Sequence, residues 1–140
     1  MPMIDVTARS GTFSDKPALV TALARAMMKW EQVPDIGMFS DNTAAFIHEL
    51  PVDAFGDANG KSDHIRVNVL TPVGILDRDK KLGVTAELTD LVVAAAGDPS
   101  LKDRTWVLIA ETPDGGWGLG GHAYTNAEIA AEARRRLGKA

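Results

Sequence analysis

Hydrophobic and polar positions alternate and recur in a pattern that predicts strand, helix, strand, and then the same three elements again. Ile4, Val6 and Ala8 alternate with Asp5, Thr7 and Arg9, the period-two signature of a strand with one buried face. A helix is then expected from about Asp15, with Ser14 as its cap and Pro17 in its first turn. Leu19, Leu23, Met27 and Trp30 line one face of it, and Pro34 and Gly37 are expected to end it. A second strand is predicted over 43–50, and the polar, glycine-containing stretch 56–63 reads as a linker. Beyond it, Ile65, Val67 and Val69 alternate with Arg66 and Asn68. Asp77 is a plausible N-cap for a helix buried through Val84, Leu88, Leu91, Val92 and Ala95, with Gly97 and Pro99 as its end. A fourth strand is expected over 105–111. Thr125 and Glu128 have capping-box spacing for a last short helix whose apolar side is Ile129, Ala133 and Leu137.

The two halves also repeat in their residues. Glu49-Leu50-Pro51 with Phe55-Gly56 is answered by Glu111-Thr112-Pro113 with Trp117-Gly118, at a constant offset of 62 positions. The expected organisation is one domain over 1–140, made of pseudo-repeats 1–60 and 63–124 and a helical tail 125–140. Two fused β-α-β units give an α/β (α+β) fold, a four-stranded sheet with both helices on one face. The other face is then bare, and a closed ring of subunits is the economical way to cover it.

Composition narrows the function. Of 140 residues 24% are charged, the net charge is −4 and the pI is near 5.3, which gives no broad electrostatic footprint for nucleic acid. The one basic cluster, Arg134 to Arg136, reads as a solvated last helical turn complementing the helix dipole. No run of apolar residues is long enough for a membrane span, no signal peptide is visible, and a cytoplasmic location is expected. There is no cysteine. His48, His64 and His122 lack metal-ligand spacing, so no metal is expected, and no cofactor. The glycine run from Gly115 to Gly121 lacks the Gly-Lys-Ser/Thr ending of a phosphate loop and reads as a tight hairpin.

The candidate chemistry lies at Pro2, directly after Met1. A small second residue favours removal of Met1, which would leave proline's secondary amine free. α-Amines titrate near ~7.7–8.0, and an apolar pocket disfavours the charged form. Such a group is suited to general base work near neutral pH, or to nucleophilic attack on carbonyls. If Met1 stays, the same nitrogen is an amide and no base exists.

Pro2, Ser14-Asp15 at the opening of helix one, the repeat, and the stretch Glu111-Thr112-Pro113-Asp114-Gly115-Gly116-Trp117-Gly118-Leu119-Gly120-Gly121 together resemble the tautomerase superfamily. The last stretch is similar to the glutamate and Phe-Gly-Ile-Gly-Gly tail of the 4-oxalocrotonate tautomerase type, with Trp117 at the phenylalanine position. The resemblance covers nearly the whole chain up to about Tyr124. It implies a trimer with helices outside and sheets facing inward. It also implies an isomerase activity in which the proline amine takes a proton from an enol or activated carbon and returns it elsewhere. Only the first unit can have a free terminus; at the equivalent place in the second stand His64 and Ile65, whose nitrogens are amides.

Carried over by position, the resemblance implies a substrate site of Pro2 with Thr71, Pro72 and Val73 at the end of the third strand. It adds Trp106 from a neighbouring subunit, Leu108 on the same strand face, Trp117, and loosely Asp41 or Asn42. Trp106 and Trp117 also fit a core or subunit-interface role. Arg66 and His48 are expected in structural roles, at an inner face or beside the second unit's site. The arginines with which relatives hold carboxylates are missing: Pro72 and Ile75 stand near one such position, Trp106 and Thr12 at others. Lys29 and Lys102 are candidate substitute cations. The expectation is an enol–keto tautomerase acting on an apolar or aryl 2-oxo acid-like small molecule. The alternatives are a hydratase, dehalogenase or decarboxylase reaction on a small unsaturated acid, and a non-catalytic trimeric binding protein.

Overall fold

The computed structural model describes residues 1–138, so the last two residues of the expected tail lie outside the described residues. The two units appear in order. β1 (Met3–Arg9), α1 (Lys16–Glu31), α2 (Gly37–Ser40) and β2 (Ala44–Leu50) form the first. β3 (Ile65–Pro72), α3 (Arg78–Ala96) and β4 (Thr105–Thr112) form the second, followed by the hairpin β5 (Trp117–Leu119) and β6 (His122–Tyr124) and then α4 (Asn126–Arg136). The main sheet has the order β2-β1-β3-β4. Within each unit the strands are parallel, and the two units join through antiparallel pairing of β1 with β3, with Val6 opposite Val67. The starts of β1 and β3 therefore lie at opposite ends of the sheet.

Strand alternation fixes which face is buried. Ile4, Val6 and Ala8 of β1 and Ile65, Val67 and Val69 of β3 pack against Leu19, Leu23 and Met27 of α1 and Val84, Leu88 and Val92 of α3. Complete burial of such side chains stabilises by roughly 1.5–3 kcal/mol each. The repeated glutamates have a structural use. Each reaches the first turn of its own unit's helix: Glu49 pairs with Lys16 at 2.9 Å and Glu111 with Lys81 at 2.8 Å. On the opposite sheet face Phe46, Leu70, Trp106 and Leu108 are exposed, and His48 bonds Asp5 at 2.7 Å.

Several element ends differ from expectation. The cap of α1 is Asp15, not Ser14; its carboxylate accepts from the Ala18 amide. The helix ends at Gln32, which takes the left-handed conformation (φ 56°) without being glycine. Gly37 starts α2 instead of terminating α1. Asp77, Gly97 and the Thr125–Glu128 capping box act as expected. The glycine run does form a hairpin, in which Gly120 and Gly121 both have positive φ as a type I′ turn requires. Ile129 and Ala133 of α4 pack inward, whereas Leu137 is exposed. None of the helices among the described residues is long and apolar enough to cross a membrane.

α1 and α3 meet where Trp30 lies over Gly83. The indole N–H donates to Glu87 at 2.9 Å, and Lys29 pairs with the same carboxylate. A Cβ on residue 83 would stand 2.1 Å from the ring. Gly83→Ala, which on propensity alone would favour the helix, is expected to destabilise the protein by ~1–3 kcal/mol through overpacking. Urea unfolding of the two proteins checks it.

Candidate functional site

The start of β1 is enclosed. Pro2 is fully buried, and its carbonyl accepts from the Ala44 amide at 3.3 Å. Met1 before it is buried as well, against Met28, Met38, Phe39 and Trp117. Its ammonium bonds the Glu31 carboxylate at 3.0 Å, with both side chains 1% exposed. The second oxygen of Glu31 accepts from the Thr71 hydroxyl at 2.6 Å. A carboxylate at the end of α1 and a hydroxyl at the end of β3 thus hold the amino-terminal nitrogen. The pair is tolerated away from water because each charge has a close partner and the second oxygen is bonded.

Beside this pair lies a cavity of about 550 Å³, its open mouth included. Its apolar wall comes from Val33, Phe39, Pro72, Ile75, Ile129 and Ala130, and its polar lining from Glu31, Asn126 and Met1. None of these side chains is cationic. Asn126 donates from its side-chain amide to the Val73 carbonyl at 2.8 Å, and its backbone N–H meets Asp114 at 2.7 Å. These bonds fix α4 across the end of β3, so that the helical tail forms one wall.

The structure brings some of the expected site residues together and separates others. Thr71 bonds the Glu31 carboxylate that holds the Met1 nitrogen, and Pro72 lines the cavity together with Met1. Trp117 is buried against Met1 and packs behind the cavity without lining it. Asp41 follows α2 as an exposed cap; Phe39, two residues earlier, is the residue of that segment in the wall. Trp106 and Leu108 point from the bare sheet face, Trp106 at the end away from Pro2, so only a neighbouring copy could carry them to it. Lys29 pairs with Glu87, and Lys102 approaches Asp90 at 3.9 Å; neither lines the cavity.

The sequence reading missed Glu31 and the wall supplied by α4. Glu31 had a visible signal. It continues the i, i+4 series Leu19, Leu23, Met27 as the one carboxylate on that buried stripe. For Asn126, Ile129 and Ala130 only the amphipathic pattern of the tail was available, and it does not say what the tail covers.

A second cleft lies at the other end of the sheet, lined by Thr7, Ala8, Arg9, Leu50, Phe55, His64, Arg66 and Trp106. His64 occupies the position that Pro2 has in the first unit. Its ring stacks on Trp106 with centroids 4.8 Å apart and an interplanar angle of 19°, and Phe55 meets both edge-on. Next to it Arg104 clamps Asp63 with two bonds of 2.9 Å, which hold that carboxyl below its ordinary value. His48 is outside this cleft, at its bond to Asp5. Among the described residues no cluster of His and carboxylate groups could hold a metal ion.

Comparison with known proteins places this geometry. Residues 64–127 match the tautomerase enzyme family. No curated protein matches the chain. Among solved structures, the wild-type fused 4-OT F6, an asymmetric trimer, is 19% identical with a TM-score of 0.73, over 98% of this chain and 99% of its own. Pt0534, solved after inactivation by 2-oxo-3-pentynoate, is 16% identical with a TM-score of 0.73, over 89% of this chain and 97% of its own. N1, a member of the cis-3-chloroacrylic acid dehalogenase family, is 16% identical with a TM-score of 0.75, over 93% of this chain and 88% of its own.

Two outcomes are expected from these contacts. In protein that carries Met1, Glu31→Leu leaves a buried ammonium and hydroxyl without their acceptor and is expected to cost ~3–5 kcal/mol, read by urea unfolding. Asp63 has a lowered folded pKa, so its stabilisation is present above the unfolded value of ~3.9 and is lost as pH falls through the folded one. The stability gap between the parent and Asp63→Asn should therefore be constant near neutrality and shrink in acid, as followed by thermal melts across pH.

Proposed function

We propose that this chain is a member of the tautomerase superfamily, to which its second half matches, and an enol–keto tautomerase whose base is the amine of Pro2, freed by removal of Met1. The observation that carries this reading is the burial of the Pro2 end of β1 against an apolar cavity that Met1 itself lines. Without Met1 the cavity extends to the proline nitrogen. The amine takes the enol hydroxyl proton and returns a proton to the adjacent carbon, so that substrate and product are isomers and the base is regenerated.

Glu31 changes the electrostatics expected from the sequence. An apolar wall alone disfavours the protonated amine, whereas a carboxylate close by favours it. Glu31 bonds the nitrogen of the residue before Pro2, so the ammonium formed in the reaction has an anion nearby to meet. Thr71 keeps that carboxylate oriented.

The wall selects the substrate class. Val33, Phe39, Ile75 and Ile129 suit an aryl or other apolar group. The carboxylate of a 2-oxo acid finds no cation in this wall, so the apolar end carries the affinity. The same lack weighs against the reaction class of the dehalogenase-family relative, in which an unsaturated acid must be held and polarised. We take the assembly to be a homotrimer, like fused 4-OT F6, with Phe46, Leu70 and Leu108 in its interface. Leu108 then belongs to the site of an adjacent subunit, whereas Trp106 stays stacked on His64 in its own.

Three measurements test the proposal. Intact mass of untagged protein should be short by one methionine. That material should ketonise the enol of phenylpyruvate, and Pro2→Ala should lower kcat/KM by about 10²–10⁴-fold. Treatment with 2-oxo-3-pentynoate should place its adduct on Pro2 in a peptide map. A full-length mass, or a Pro2→Ala variant with unchanged turnover, would sink the mechanism and leave the trimeric binding protein as the reading.

A further inference from the structure

The second cleft carries chemistry that the Pro2 cavity lacks. Two guanidiniums line it, Arg9 from β1 and Arg66 from β3. Thr7 faces Arg66 across the antiparallel ladder, and Arg9 stands two residues beyond Thr7 on the same face. The two arginines are thus diagonal neighbours, with Cα atoms ~7–8 Å apart. Among the described residues neither guanidinium bonds or pairs with any carboxylate.

The nearby acids are already engaged. Asp63 is clamped by Arg104. Asp57 accepts from the backbone N–H groups of Asn59 and Lys61 at 2.9 Å each and lies 3.5 Å from the His64 Nε2. The cleft therefore presents uncompensated positive charge. Behind it the imidazole of His64, 9% exposed, is held between Trp106 and Phe55, and its Nδ1 is buried with no hydrogen-bond partner. That nitrogen lies 3.9 Å from the Asp63 carboxylate, so the ring offers the cleft its flat apolar body and not a polar atom.

We propose that this cleft is a second ligand site, one for a small planar carboxylate, in which Arg9 and Arg66 hold the acid group and His64, Trp106 and Phe55 receive the flat, unsaturated body. Arginine forks match carboxylates geometrically, and stacked rings fit a planar π-system. The site is independent of the Pro2 amine. It divides recognition across the molecule: the proline cavity takes apolar groups, and the second unit takes acids where no amine base is available.

The test uses benzoate as the probe, on the assembled protein. Titration followed by the His64 imidazole NMR signals should give a saturable shift. Arg66→Gln and Arg9→Gln should each weaken it by about tenfold or more, and the neutral isostere benzamide should bind correspondingly worse than benzoate. Arg66→Lys, which keeps charge without the fork, should fall between parent and Arg66→Gln and guards against a folding defect. Pro2→Ala should leave the titration unchanged, so the result stands whether or not the proline is catalytic. No saturable shift, equal binding of benzamide, insensitivity to both arginine substitutions, or loss of binding in Pro2→Ala would each overturn the proposal.

Discussion

The antiparallel ladder between β1 and β3 is the constraint on which the rest of the molecule depends. It joins the two fused units, and it lays six buried side chains, Ile4, Val6, Ala8, Ile65, Val67 and Val69, in one continuous layer under both helices. Because the pairing is antiparallel, the equivalent ends of the two units point in opposite directions. A parallel join would have put Pro2 and His64 side by side. The observed join separates them by the length of the sheet and lets each end acquire its own polar groups without disturbing the other.

Those groups have diverged in sign. Around Pro2 the fixed charge is the carboxylate of Glu31, buried and oriented by Thr71. Around His64 the uncompensated charges are arginines. A buried carboxylate next to an amine and an apolar wall suit a proton moving within a neutral or weakly polar substrate. An electropositive, ring-lined cleft suits a static anion. The two ends share a backbone template and differ in what their electrostatics reward.

Most of the architecture was legible in the sequence because it rests on periodicity. The buried faces of β1, β3, α1 and α3 follow from alternation and from i, i+4 spacing, and the caps Asp77, Gly97 and Thr125 from local hydrogen-bond chemistry. The element ends that were misread, Ser14 against Asp15 and Gly37 against Gln32, are choices between adjacent residues of similar capacity, decided by geometry rather than pattern. The site was only half legible. Thr71 and Pro72 came from the family resemblance, which implies that the end of the third strand meets the amino terminus. Phe39, Ile75 and Asn126 come from segments whose approach to Pro2 depends on tertiary packing. Glu31 was visible as a charge on an apolar stripe, a conflict between local preference and burial of the kind expected where function resides. Trp106 stacks on His64 in a cleft at the end of the sheet away from Pro2.

The cavity wall formed by α4 bears on the order of events during synthesis. The residues that close over Met1, namely Asn126, Ile129 and Ala133, are made long after it. Once α4 has docked, Met1 is 4% exposed and out of reach of a peptidase. At ~5–20 residues per second, a ribosome takes on the order of ten seconds to deliver that helix. If Met1 is removed, as the proposed mechanism requires, its trimming belongs to this interval, on the nascent chain. A folded molecule that misses it keeps its methionine until it unfolds.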